Sequence, residues 1–143
     1  MKLFILLLSL TTIVHFANGQ TTDNSKVLFD GFYQTKAYFD KEDNDTTYSY
    51  LRFYTDGKVI SVTSEGTAFD LKDWFNLNLE NPSVGNFDIR GRRIYFSTTS
   101  GAGTVIYKGK IRDKHFLILK SKSLINGYKD KEKYYFIAVP NMK

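Results

Sequence analysis

The chain contains no cysteine. This excludes a disulfide framework, a cysteine-linked lipid anchor and any thiolate metal centre. Histidine is nearly absent, with His15 and His115 the two copies. A zinc site built on several imidazoles therefore has too few ligands, and a hydroxyl nucleophile has at most one imidazole to activate it. Proline is equally scarce, with 2 residues in 143, so little interrupts extended backbone. Long apolar runs are missing beyond residues 3–16, and that run is shorter than the roughly 20 residues a membrane-spanning helix needs.

What the first segment does contain reads as an export signal. Lys2 supplies a positive start, residues 3–16 an apolar stretch, and Ala17-Asn18-Gly19 small residues at the positions a signal peptidase reads. Cleavage before Gln20 leaves residues 20–143, a length suited to one domain with its own core. The expectation is a secreted or periplasmic protein without a membrane span. Charge is split along that mature chain. Residues 20–89 carry 6 basic and 12 acidic side chains, and residues 90–143 carry 13 basic and 3 acidic. Either the halves neutralise each other in the fold, or the basic half presents a face to a polyanion or an acidic partner.

Aromatics are abundant, with 10 Tyr and 12 Phe, as in sheets, where such side chains pair across strands. Alternation predicts strands over residues 29–39, 46–55, 58–64, 86–90, 92–99, 103–111, 115–123 and 132–139. Tyr48, Tyr50, Arg52 and Tyr54 fall on one face of the second, and Ser49, Leu51 and Phe53 on the other. Asp56-Gly57 is the clearest turn, because a two-residue hairpin loop demands positive φ. Residues 67–75 differ. Leu71, Trp74 and Phe75 recur at helical spacing behind Thr67, which predicts one short helix after the third strand. Its apolar stripe is expected to cap one mouth of the barrel. Eight strands joined by short turns form an antiparallel meander, and closure into a barrel removes the exposed edges. The alternation predicts Leu51, Phe53, Val105, Tyr107, Leu117, Leu119, Ile137 and Val139 inside, with Lys108, Lys110, Lys120 and Lys122 outside.

Asp30-Gly31-Phe32-Tyr33, the hairpin around Leu51-Arg52-Phe53-Tyr54-Thr55-Asp56-Gly57-Lys58-Val59, Gly85-Asn86-Phe87-Asp88-Ile89 with Arg93-Ile94-Tyr95-Phe96, and Tyr107-Lys108-Gly109-Lys110 resemble small exported bacterial lipocalin-like, calycin-type proteins. Tyr33 stands where the first-strand Gly-x-Trp of lipocalins would place tryptophan, and the disulfide of many lipocalins has no counterpart. The resemblance implies an up-and-down barrel and, by analogy, a bound ligand.

Catalytic signatures are thin. His115 sits between a basic turn and a strand with no partner defined by sequence, and no catalytic residue, metal ligand or cofactor is assigned. The acidic run Asp40-Lys41-Glu42-Asp43-Asn44-Asp45 lacks the glycine and closing glutamate of an EF-hand. Ser100-Gly101-Ala102-Gly103-Thr104 lacks the Gly-Lys of a phosphate loop, and Asn44-Asp45-Thr46 fits a glycosylation sequon. The leading expectation is a non-enzymatic binding protein holding a small apolar or amphipathic ligand in the barrel, with Tyr33, Trp74, Tyr95 and Tyr107 as candidate ligand-binding residues. The alternative is a protein-interaction or inhibitor module of the cell exterior that uses its loops or the basic face of Lys108, Lys110, Arg112, Lys120 and Lys122.

Overall fold

The computed structural model describes residues 23–80 and 82–142. The expected leader and its cleavage site lie outside them. Nine strands form one antiparallel sheet: β1 (Gly31–Gln34), β2 (Tyr38–Asp40), β3 (Asp45–Phe53), β4 (Lys58–Ser64), β5 (Val84–Arg90), β6 (Arg93–Ser100), β7 (Gly103–Asp113), β8 (Phe116–Ser123) and β9 (Lys129–Ala138). Each strand from β3 onward pairs with the next in sequence. The sheet closes because β1 pairs with β9 on one side, at Gly31↔Ala138 through Gln34↔Tyr135, and with β3 on the other, at Tyr33↔Leu51 and Gln34↔Tyr50. The result is an eight-stranded up-and-down barrel whose first strand is broken into β1 and β2. The break is local: at Thr35 the backbone N–H still donates to Ser49 O (3.0 Å), while Thr35 Oγ1 accepts from Ser49 N–H (3.0 Å).

Turn chemistry follows the sequence. Gly57 takes φ +87°, Asp56 Oδ1 accepts from Lys58 N–H (3.1 Å), and Tyr54 N–H donates to Lys58 O (2.8 Å), which seals the β3–β4 hairpin. Gly109, midway along β7, answers a different need. A Cβ there would lie 2.0 Å from Ile118 O, so only glycine lets β7 approach β8 this closely.

Two apolar clusters result, one on each side of the wall. The inner one holds Val27, Tyr33, Leu51, Phe53, Val59, Phe87, Ile89, Ile94, Phe96, Ile111, Leu117, Leu119 and Tyr134. It fills the end of the barrel closed by the hairpins at residues 54–57, 91–92 and 114–115 and by the segment ahead of β1. Tyr33 ties these together: its hydroxyl accepts from Leu28 N–H (2.9 Å) and donates to Lys114 O (2.5 Å). Burial pushes its pKa up to about 12.

The outer cluster comprises Phe32, Tyr50, Ile60 and Val139, covered by Ala68, Leu71 and Phe75. Here the structure corrects two expectations. Residues 67–75 form no α-helix but a strap with a single 3-10 turn, Lys72–Trp74. The strap lies on the outer wall, not over a mouth. Leu71 (3 % exposed) and Phe75 (1 %) are buried there, whereas Trp74 is 57 % exposed. The physical reason is that the wall of β1, β3, β4 and the end of β9 is aromatic and aliphatic outside as well as inside, which gives the strap an apolar surface to cover. The same fact reverses β9. Tyr134 and Phe136 point inward, while Ile137 and Val139, expected inside, belong to the outer cluster. Both faces of that strand are apolar at its end, so alternation alone cannot assign them. Leu51, Phe53, Leu117 and Leu119 are in the inner cluster, with Tyr107 packed against it.

Candidate functional site

The opposite half of the barrel interior is not filled. Inward-facing positions change there from almost wholly aromatic and aliphatic to mostly hydroxyl and carboxyl: Ser49 on β3, Thr63 on β4, Val105 and Tyr107 on β7, Ser121 and Ser123 on β8, Asp130, Glu132 and Tyr134 on β9. Together with Thr35, Tyr38, Thr47 and Tyr128 they line a cup of about 410 Å³. Its mouth is flanked by Tyr38 and Tyr128, each 62 % exposed.

Tyr107 and Tyr134 form the floor. The Tyr107 ring stacks on Phe96, at 4.6 Å between centroids and 14° between planes, so its body belongs to the filled half. Its hydroxyl meets Ser61 and Thr98, which also bond to each other at 2.7 Å. Tyr134 is 3 % exposed and bonds to Ser49. Burial raises the pKa of both phenols above the ordinary tyrosine value, so both remain neutral donor-acceptors.

Two carboxyls share one wall. Glu132 and Asp130 alternate inward on β9 while Lys129, Lys131 and Lys133 point out. Desolvation raises the Glu132 pKa, and its hydrogen bond to Asp130 adds to the shift. A carboxyl with a raised pKa binds more protons folded than unfolded. Its contribution to stability is therefore complete below the ordinary glutamate range and lost as pH rises through the raised value. Glu132→Gln is accordingly expected to unfold at higher urea concentration than the parent at neutral pH, with the two curves converging as pH falls below about 4.3. A less stable variant at neutral pH would contradict the placement.

The candidate ligand residues do not converge. Tyr107 lines the cup. Tyr33 lies in the filled, closed half, Trp74 is on the strap of the outer wall, and Tyr95 is on the outer face of β6 beside Lys108. Lys108, Lys110, Lys120 and Lys122 are all exposed on the outer wall. His115 is in the β7–β8 turn at the closed end, with its ring edge-on to Phe136 at 5.9 Å. Among the described residues no group of three or more His, Asp or Glu is placed to hold a metal ion, and no helix is long and apolar enough to cross a membrane.

No family model, no curated protein and no solved structure matches this chain. Asp130 and Glu132, absent from the sequence-based candidates, had a usable signal. Residues 129–135 alternate Lys-Asp-Lys-Glu-Lys-Tyr-Tyr, and a strand that segregates opposite charges to opposite faces has one face that is not simply solvated.

Proposed function

We propose that this chain is an exported, lipocalin-like, non-enzymatic binding protein that holds a small polar or amphipathic molecule in the cup at the open end of its barrel. One observation carries the reading. The interior is packed at one end, and at the other it opens into about 410 Å³ walled by hydroxyls and a carboxyl pair. An eight-stranded barrel has room to fill itself or to keep space for one small ligand, and this one does each in half its length. A wall of Ser, Thr and Tyr hydroxyls over an aromatic floor suits a ligand with several hydrogen-bonding groups and one flat or apolar side. A wholly apolar ligand would leave those polar groups desolvated and unpaired. The polar lining thus favours an amphipathic or polar ligand over the wholly apolar one that the sequence also allowed.

Native mass spectrometry of protein purified from its own producer tests the reading. The expected result is a retained small molecule, lost in Ser121→Phe, where a ring replaces a half-buried hydroxyl in the cup wall. A parent protein that neither retains nor takes up any polar small molecule would defeat it. So would retention unchanged in a folded Ser121→Phe variant.

A further inference from the structure

On the outside of the wall that forms much of the cup, β6 to β9 bring together a field of cations. The pairing register aligns Arg93, Lys110, Ile118 and Lys133 in one row across the four strands, and Tyr95, Lys108, Lys120 and Lys131 in the next. A third row ends in Lys122 and Lys129. Neighbouring strands are about 4.8 Å apart and same-face residues about 7 Å apart along a strand, so eight cations share an area only a few residues across. All eight are exposed. The ion pairs among the described residues are Lys26–Asp23, Lys58–Asp56 and Arg90–Asp88, and none involves these eight side chains. The long side chains wall a groove of about 470 Å³ over β7 and β8.

We propose that this groove binds a linear anionic polysaccharide, a chain bearing sulfate or carboxylate groups. Like charges held this close raise the energy of the folded chain unless a polyanion neutralises them. The shape of the field selects the kind of polyanion. Four of eight strands span half the barrel circumference, so cations on β6 and β9 point in directions roughly 135° apart. A flat anionic membrane meets only part of such a surface, and a stiff nucleic-acid duplex does no better, whereas a flexible chain can follow the groove around the wall. Single-stranded nucleic acid is flexible but depends on several aromatic platforms for its bases. The groove offers one ring, Tyr95. The nearby Phe116 and Tyr135 rings are stacked on each other at 5.0 Å. Lysines outnumber arginines among the cations that line the groove, Lys108, Lys110, Lys120 and Lys131 against Arg93 and Arg112, and an ammonium is a point charge that binds sulfate or carboxylate in many orientations, whereas phosphate readout favours the arginine fork. The acidic tip of a second copy, residues 40–45, offers four carboxylates and a lysine against eight cations, too few to neutralise the field.

Isothermal titration with a heparin fragment across a salt series tests the proposal. The same measurements are made with oligo(dT) of equal charge, with anionic phospholipid vesicles, and by sedimentation without additive. The expected result is binding of the heparin fragment that weakens steadily with salt. It should weaken at least about tenfold in Lys108→Glu/Lys120→Glu and by a smaller factor in the milder Lys108→Gln/Lys120→Gln. Lys36→Glu/Lys72→Glu, away from the groove, should bind within about twofold of the parent. Unchanged binding in the folded Lys108/Lys120 variants would overturn the proposal. So would tighter binding to the oligonucleotide or to vesicles, or salt-sensitive self-association that the same variants abolish.

Discussion

Phe53→Ala is expected to cost about 3–5 kcal/mol, the largest loss from any single truncation in the inner core. Phe53 is fully buried on β3. Its ring meets three others edge-on: Tyr33 at 5.4 Å, Phe87 at 5.0 Å and Phe96 at 5.7 Å. These partners come from β1, β5 and β6, so one side chain links four of the eight barrel strands. Removing it deletes the apolar transfer contribution and leaves a cavity that closed sheet cannot collapse to fill, because each wall is held by its ladder. The lost edge-to-face pairs, worth about 0.5–1.5 kcal/mol each, are part of that loss. A domain of this size has about 5–15 kcal/mol of stability in total, so the variant should lose a large share of it. Phe53→Leu, which keeps most of the volume, should cost clearly less. Urea unfolding measures this directly, as a lower midpoint at unchanged slope. A loss below about 1 kcal/mol would mean that the closed end is not packed as described.

The inner core was readable because sequence and structure there obey the same period of two. Ser49, Leu51 and Phe53 share a face, Leu117 and Leu119 another, and Asp56-Gly57 fixes the register between β3 and β4. Legibility failed wherever both faces of a strand are covered. Alternation predicts Ile137 and Val139 inside, yet the strap gives outward-facing apolar residues a place to be buried. The strap departs from the expected helix for a related reason. Leu71 and Phe75 lie four apart, as on a helix, but a segment this short gains little from helix formation alone, and docking on the wall decides its shape. The basic groove was partly legible, since Lys108, Lys110, Lys120 and Lys122 alternate visibly. The contributions of Arg93, Lys131 and Lys133 follow only from the strand register. The cup was legible least. Its acids are two among fifteen in the chain, and nothing local distinguishes a hydroxyl facing a cavity from one facing solvent.

The strap yields the second large effect. Phe75→Ala is expected to cost about 3–5 kcal/mol if the strap unfolds together with the barrel. Phe75 is 1 % exposed, its ring is 4.2 Å from that of Phe32 and 6.3 Å from that of Tyr50, and its carbonyl accepts from Arg52 Nη1 (2.8 Å) and from the Tyr54 hydroxyl (2.5 Å). The side chain therefore holds the strap to the wall while the backbone carbonyl accepts from the buried Arg52 guanidinium beneath it. Truncating the ring weakens both, since the carbonyl stays in place only while the strap is seated. The barrel ladder does not run through residues 65–80, so a second course is open to the variant: the strap can detach alone and expose Phe32, Tyr50 and Ile60. Limited proteolysis distinguishes the two. Cleavage confined to residues 65–80 with the barrel retained shows local release, whereas general degradation shows that the strap and barrel form one cooperative unit. Trp74, one residue away, supplies the control. It is 57 % exposed, so Trp74→Ala should change stability by no more than about 0.5 kcal/mol, and parent Trp74 fluorescence should be red-shifted and readily quenched by acrylamide. A costly Trp74→Ala combined with a tolerated Phe75→Ala would reverse the described seating of the strap.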